Sequence, residues 1–162
     1  MNADQSQAAQ DAKENPKFAG HHSQVTDLVL KVFYDVYNEL GGGFLESVYH
    51  KALAMALRQS GLAVSVEVPV PVYFRGVAIG DFSADLTVNQ CVLLELKAVA
   101  VLDKTHDSQL LNYLRATDFE VGLLLNFGPK PHFKRFLLDN HQKKVRVHPC
   151  ESVVESLGAQ RR

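Results

Sequence analysis

The chain has 162 residues, enough for one hydrophobic core, with 46% hydrophobic and 22% charged residues, an ordinary globular composition. A formal net charge of −1 excludes a globally basic nucleic-acid binder, and two cysteines exclude a disulfide framework or a cysteine-rich zinc module. The polar N-terminus carries no signal core and no apolar run spans a bilayer, so a cytoplasmic protein with no membrane partner is expected. Residues 1–20 lack a periodic apolar face and read as a disordered tail. The folded domain is expected over 21–150, with 151–162 as a C-terminal tail.

The first helix is predicted over 23–39, where Val25, Leu28, Val29, Val32, Phe33 and Val36 recur at helical spacing before Gly41-Gly42-Gly43. A second, over 45–59, has Leu45, Val48, Tyr49, Ala52, Leu53, Ala56 and Leu57 on one face and stops at Ser60-Gly61. Period-two alternation then runs from Leu62 to Phe74, with Pro69 and Pro71 demanding an edge strand or a bulge. Arg75-Gly76 turns the chain into an extended stretch through Val88, and Asn89-Gln90 turns it again into a strand over 91–99. A helix over 105–116, a buried strand over 120–127, a short helix over 132–138 and a last strand over 143–147 complete the expected order. That order gives an α/β domain with a mixed sheet, the strand 120–127 lying parallel to 91–99 after its helical crossover.

Charges inside apolar strands carry the chemistry. Glu95 and Lys97 are the only charges in the run 91–99, and alternation puts both on one face. Asp85 lies in the neighbouring run 82–88. An ionised group buried without a partner is very costly, so such charges imply compensation or a metal. Asp, Glu and Lys converging on one sheet face would make a site for a divalent cation and an activated water. The convergence has a condition. A two-residue loop at 89–90 would set Asp85 opposite Leu94 and turn it away from Glu95. A shared face requires a three-residue loop or a bulge near 89–91.

Each residue has a plainer reading. Glu95 and Lys97 could be an ion pair on an exposed sheet surface. Glu46 sits in the first turn of its helix, where the dipole favours a carboxylate. Tyr49 reads as core. The seven histidines show no ligand spacing. His106, Gln109 and Tyr113 share a helix face that would serve as a polar–aromatic boundary. Lys130, Lys134, Arg135, Lys143, Lys144 and Arg146, against Asp139 alone, form either a local phosphate-binding patch or a solvated face.

The ordered set of motifs resembles a known family. Gly43-Phe44-Leu45-Glu46-Ser47-Val48-Tyr49 is followed by Val68-Pro69-Val70-Pro71-Val72-Tyr73-Phe74-Arg75-Gly76, Ala84-Asp85-Leu86, Glu95-Leu96-Lys97-Ala98-Val99, the segment from His106 to Leu114, and Gly122-Leu123-Leu124-Leu125-Asn126-Phe127. This resembles the GxxExxY protein family, a branch of the PD-(D/E)xK nuclease superfamily, over residues 23 to 140. The resemblance implies a restriction-endonuclease-like core, a mixed four-stranded sheet flanked by helices. It also implies Mg²⁺-dependent (or Mn²⁺-dependent) hydrolysis of phosphodiester bonds in DNA or RNA. Its site would comprise Glu46, Asp85, Glu95, Lys97 and Gln109, with metal ligands from Asp85, Glu95, Glu46 and the backbone carbonyl of Leu96. Lys97 would hold or deprotonate the attacking water, and Gln109 would orient Lys97 or a phosphate oxygen. Ser83 stands where a basic residue is common, and Ala84 where Pro is. The implied partner is nucleic acid, with a homodimer as one way to reach both strands of a duplex. The competing readings are a catalytically silent module that binds nucleic acid or a protein, and a purely structural interaction domain.

Overall fold

A computed structural model describes residues 22–143. The expected tails, and the part of the last expected strand from Lys144 onward, lie outside those residues. Helices α1 (Ser23–Leu40) and α2 (Glu46–Gln59) precede strands β1 (Val64–Phe74), β2 (Val77–Val88) and β3 (Val92–Lys97). Helix α3 (Lys104–Arg115), strands β4 (Val121–Phe127) and β5 (Pro131–Leu137), and a short 3-10 turn (Asn140–Gln142) follow. The strands form one five-stranded sheet in sequence order, antiparallel except where β3 and β4 run parallel across the α3 crossover. The architecture is the expected mixed sheet flanked by helices, with one strand more than the four of the expected core.

Alternation along β3 sorts the molecule into two layers. Val92, Leu94 and Leu96 join Phe33, Tyr49, Leu53 and Leu57 in a core under α1 and α2. Leu93 joins Leu110, Tyr113 and Leu114 in a smaller core under α3. Glu95 shares Leu93's parity, and the parallel register sets it beside Leu124, which belongs to the α3-side core. A Cβ on Gly122 would stand 2.9 Å from Leu110 Cδ1, so this glycine sets how closely α3 lies on β4.

One expected element is corrected. The segment 132–138 is a strand, not a helix. Phe133, Phe136 and Leu137 recur at helical intervals, yet Phe133 and Leu137 pack into the α1–α2 core while Phe136 packs under α3. A strand covered on both faces places apolar residues at both parities, and that masks its period of two.

The β1–β2 ribbon is long and changes layer along its length. Val64, Leu86 and Val88 pack with α1 and α2, whereas Val70, Val72 and Ala84 pack with α3. The change falls at Glu67, whose φ of 49° is left-handed and rare for a residue with a Cβ. β2 pairs with β3 only from Leu86 to Val88, while β3 continues along β4 to Lys97. The two strands therefore part at Asp85.

Candidate active site

The loop 89–91 between β2 and β3 has three residues: Val88 pairs with Val92 and Leu86 with Leu94. The odd-length loop meets the condition that the sequence set, and that register carried one step further would point Asp85 toward Glu95; the pairing itself ends at Leu86, and the Asp85 carboxylate lies where the strands part, within reach of β3 and of α2. Asn89 and Gln90 both take positive φ, 50° and 54°, and Asn89 anchors the turn through hydrogen bonds with Ala63. Where β2 leaves β3, the backbone N–H of Leu96 donates to Asp85 Oδ2 at 2.7 Å. A side-chain carboxylate thus satisfies this β3 amide where the two strands part.

Lys97 Nζ lies 3.6 Å from Glu95 Oε1 on the same strand face. Glu95 is buried, with 2% of its surface exposed, and its Oε2 has no hydrogen-bond partner among the described residues. Burial, with the negative charge of Asp85 added, pushes the Glu95 carboxyl up to about 8, against the pull of Lys97. Asn126, buried opposite Lys97, accepts from Val99 N at 3.0 Å and donates to Val99 O at 2.9 Å, which fixes the chain just past Lys97.

Helix α2 brings a third carboxylate, Glu46. Its entry loop explains the Gly-x-x-Glu-x-x-Tyr spacing. Gly43 adopts a φ of 100°, where a Cβ would be strained. Glu46 is the first helical residue. Tyr49, one turn on, is fully buried and stacks on Phe127 with ring centroids 4.4 Å apart. Its hydroxyl donates to Gly41 O at 2.6 Å and accepts from Phe44 N at 3.2 Å, tying the loop to the helix it starts. Tyr49 is core, as expected, and also pins the segment that aims Glu46.

His50 joins the cluster, contrary to the reading that no histidine has ligand spacing. Its Nε2 lies 3.3 Å from Asp85 Oδ2 and 3.8 Å from Glu46 Oε1. The hydrogen bond with Asp85 raises its pKa against the opposing effect of burial, and Glu46 and Glu95 add to the rise. Donor atoms of Glu46, His50 and Asp85 all lie within 4.8 Å of one another. The spacing Glu46-x-x-x-His50, one helical turn, was the only local signal. The third member lies 35 residues further on.

Gln109 stands one step back. Its Nε2 donates to Tyr113 Oη at 2.9 Å. Tyr113 is raised in pKa by burial, opposed by the Gln109 hydrogen bond, and feels the charges of Glu95, Asp85 and Lys97. The structure therefore brings Glu46, Asp85, Glu95 and Lys97 together, and Gln109 reaches them through Tyr113. His106 turns elsewhere: it forms a capping box with Asp103 at the start of α3. For Leu96 the described contact is through its amide.

The model of the PD-(D/E)XK nuclease superfamily matches residues 23–136. The chain belongs to the PD-(D/E)XK nuclease superfamily. Among solved structures it is similar to the crystal structure of SSO0001, at 18% identity over 90% of this chain and 68% of that one, with a TM-score of 0.48. It is also similar to an alkaline exonuclease from Laribacter hongkongensis, at 12% identity over 87% of this chain and 80% of that one, with a TM-score of 0.37. No curated protein matches the chain by sequence.

In this member of the superfamily three of the six basic residues of the C-terminal run, Lys134, Arg135 and Lys143, are committed to structure, while Lys130 is exposed. Lys134 Nζ pairs with both carboxylate oxygens of Asp107 at 2.9 and 3.0 Å. Arg135 donates to Thr26 Oγ1 at 3.0 Å and lies 3.6 Å from Asp27. Lys143 Nζ donates to the carbonyls of Thr117 and Phe119. Lys144 and Arg146 lie outside the described residues. Lys134 and Arg135, read as part of a phosphate-binding patch or a solvated face, thus tether β5 to α3 and α1. Among the described residues, no helix is long and apolar enough to cross a membrane.

Proposed function

We propose that the chain is a metal-dependent nuclease of the GxxExxY branch that hydrolyses phosphodiester bonds in DNA (or RNA). The observation that carries the proposal is Glu95. A buried carboxylate with one oxygen unpartnered, beside Lys97 and across the strand gap from Asp85, is costly to fold and suited to a cation. On this reading the letters of the superfamily's name fall on Asp85 and on Glu95-Leu96-Lys97, with Ala84 in place of the proline.

The donor set is mostly hard oxygen, which suits Mg²⁺ or Mn²⁺. Asp85, Glu95 Oε2 and the Leu96 carbonyl would hold the ion, with Glu46 binding directly or through water. A bound divalent cation would polarise the phosphodiester and lower the pKa of the attacking water. Lys97 Nζ would hold that water and offset charge building on the phosphorane. Burial pushes the Glu95 carboxyl up to about 8, which favours its protonated form, and binding of a cation would displace that proton. The imidazole of His50 shares Asp85 Oδ2 and would yield to the ion or bind it through nitrogen. Gln109 would orient Tyr113 and, through it, the substrate side of the site. A homodimer, which would offer a site to each strand of a duplex, belongs to the same reading. Support for it comes from Phe74, Val77 and Ile79, exposed near the β1–β2 turn.

The test is cleavage of supercoiled and single-stranded DNA by purified protein with Mg²⁺, Mn²⁺ or EDTA. Cutting is expected with either metal and absent with EDTA. Glu95→Ala and Lys97→Ala should each lower the rate by roughly 10²- to 10⁴-fold. Cutting that survives in both variants, or in EDTA, would refute the assignment.

A further inference from the structure

Beside the acidic cluster lies a groove of about 610 Å³ between β1–β2 and α3, bounded by Val72, Phe82, Ser108, Gln109, Asn112 and Tyr113. We propose that this groove receives an unpaired nucleobase next to the scissile phosphate, so that the substrate is single-stranded nucleic acid or a frayed strand end. The proposal rests on reading the adjacent cluster as a nuclease centre.

Continuity is the first argument. Tyr113 both lines the groove and feels the charges of Glu95, Asp85 and Lys97, so a ligand in the groove abuts the reacting centre. Phe82 stands on β2 three residues before Asp85. The second argument is shape. Phe82 is 51% exposed, a large apolar residue left open in the lining of the groove. It lies over Gly80, where a Cβ would stand 2.9 Å from its Cε2. Its centroid is 6.3 Å from that of Tyr113, with the ring planes tilted by 52°. Base–aromatic stacking of this kind is tolerant of sequence and is a main source of affinity for single strands. The third argument is chemistry. Ser108, Asn112 and Thr105 in the lining offer hydrogen-bonding groups for a base edge, Asn112 Oδ1 already accepting from Arg115 at 3.3 Å. Arg115 is the charged residue of the lining, and no carboxylate contributes, which suits a ligand bearing phosphates. A base stacked within a duplex cannot enter such a groove without leaving its stack, which is why the inferred substrate is unpaired.

The test titrates the full-length protein into a short single-stranded DNA carrying 2-aminopurine, with Ca²⁺ as the cation and a matched duplex as comparison. Stacking should quench the 2-aminopurine fluorescence, and the single strand should bind more tightly than the duplex. Phe82→Ala should remove the quench and weaken single-strand binding about tenfold. Ser108→Leu, which narrows the groove from an exposed helical position, should weaken it in the same direction with an unchanged unfolding midpoint. The groove proposal is overturned if the protein does not bind, if the bound strand shows no quench, if the duplex binds equally well, or if both variants behave as the wild type. Metal-dependent cleavage without the quench would overturn the groove alone. A quench that depends on Phe82, without cleavage, would support the groove and overturn the nuclease reading.

Discussion

Glu95 is where function and stability pull apart. In the folded protein its carboxyl sits at about 8 rather than the usual 4.5, because burial and Asp85 disfavour its charge. Between those two values the folded state holds a proton that the unfolded chain has released. Stability therefore falls as pH rises through that window, and the loss is complete above about 8. His50 acts in the same direction. Its raised pKa contributes stability below 6.5 that is lost as pH rises through its folded value. Thermal unfolding in EDTA should show a midpoint lower at pH 9 than at pH 6. Glu95→Gln, which keeps the shape and removes the charge, should shrink that difference while abolishing cleavage. Parallel pH profiles for the two proteins would show that Glu95 is not the strained group. Asp85, Glu95 and Lys97 were legible in the sequence because charges interrupt apolar strands. His50 was not, because its partner Asp85 comes from another element and only the fold joins them.

At the scale of elements, the site is held by two pinned segments. The first is the turn into α2, where Tyr49 ties Gly41 and Phe44 to the helix. Tyr49→Phe keeps the stacked ring and removes the hydroxyl, leaving the Gly41 carbonyl and the Phe44 amide short of a partner. A cost of about 1–3 kcal/mol follows, and each kcal/mol lowers the midpoint by about 2–4 °C in a domain of this size. Calorimetry of that variant checks the claim, and an unchanged midpoint would contradict it. The second is the end of β3, where the side chain of buried Asn126 bonds both the N–H and the C=O of Val99. Asn126→Ala should destabilise the fold by a similar amount and should also lower the cleavage rate, since Lys97 lies two residues before Val99. An assay showing lost stability with undiminished turnover per folded molecule would deny that positioning role. The three helices were readable from their helical spacing and β1 from its period of two, whereas β3 and β4, buried on both faces, were readable as short apolar runs. The loop register was readable as a logical condition, because one residue more or less swaps every side chain between faces. β5 was misread because its apolar residues fall at both parities and Lys134 and Arg135 interrupt them, which leaves neither a clean alternation nor an unbroken apolar run. The left-handed Glu67, which lets the ribbon change layer, left no sequence signal at all, since glutamate is an unusual choice for that conformation.

At the scale of the whole molecule, the acidic cluster forms where β2 parts from β3 at Asp85 while β3 stays paired with β4. The gap lets α2, from one layer, supply Glu46 and His50, and lets the sheet face toward α3 supply Glu95 and Lys97. Tyr113, which lines the groove with Phe82, feels the charges of Glu95, Asp85 and Lys97. Divalent cation binding should stabilise the whole fold, and more at high pH, where the acidic cluster carries most charge. The unfolding midpoint should rise on adding Mg²⁺ at pH 8.5 by more than at pH 6, and no rise at either pH would argue against a cation site. The most direct test is a crystal of the protein soaked in Mn²⁺ and measured at the manganese absorption edge. The account predicts an anomalous peak about 2.1 Å from carboxylate oxygens of both Asp85 and Glu95. A peak confined to other surface acids, or none at this cluster, would contradict it.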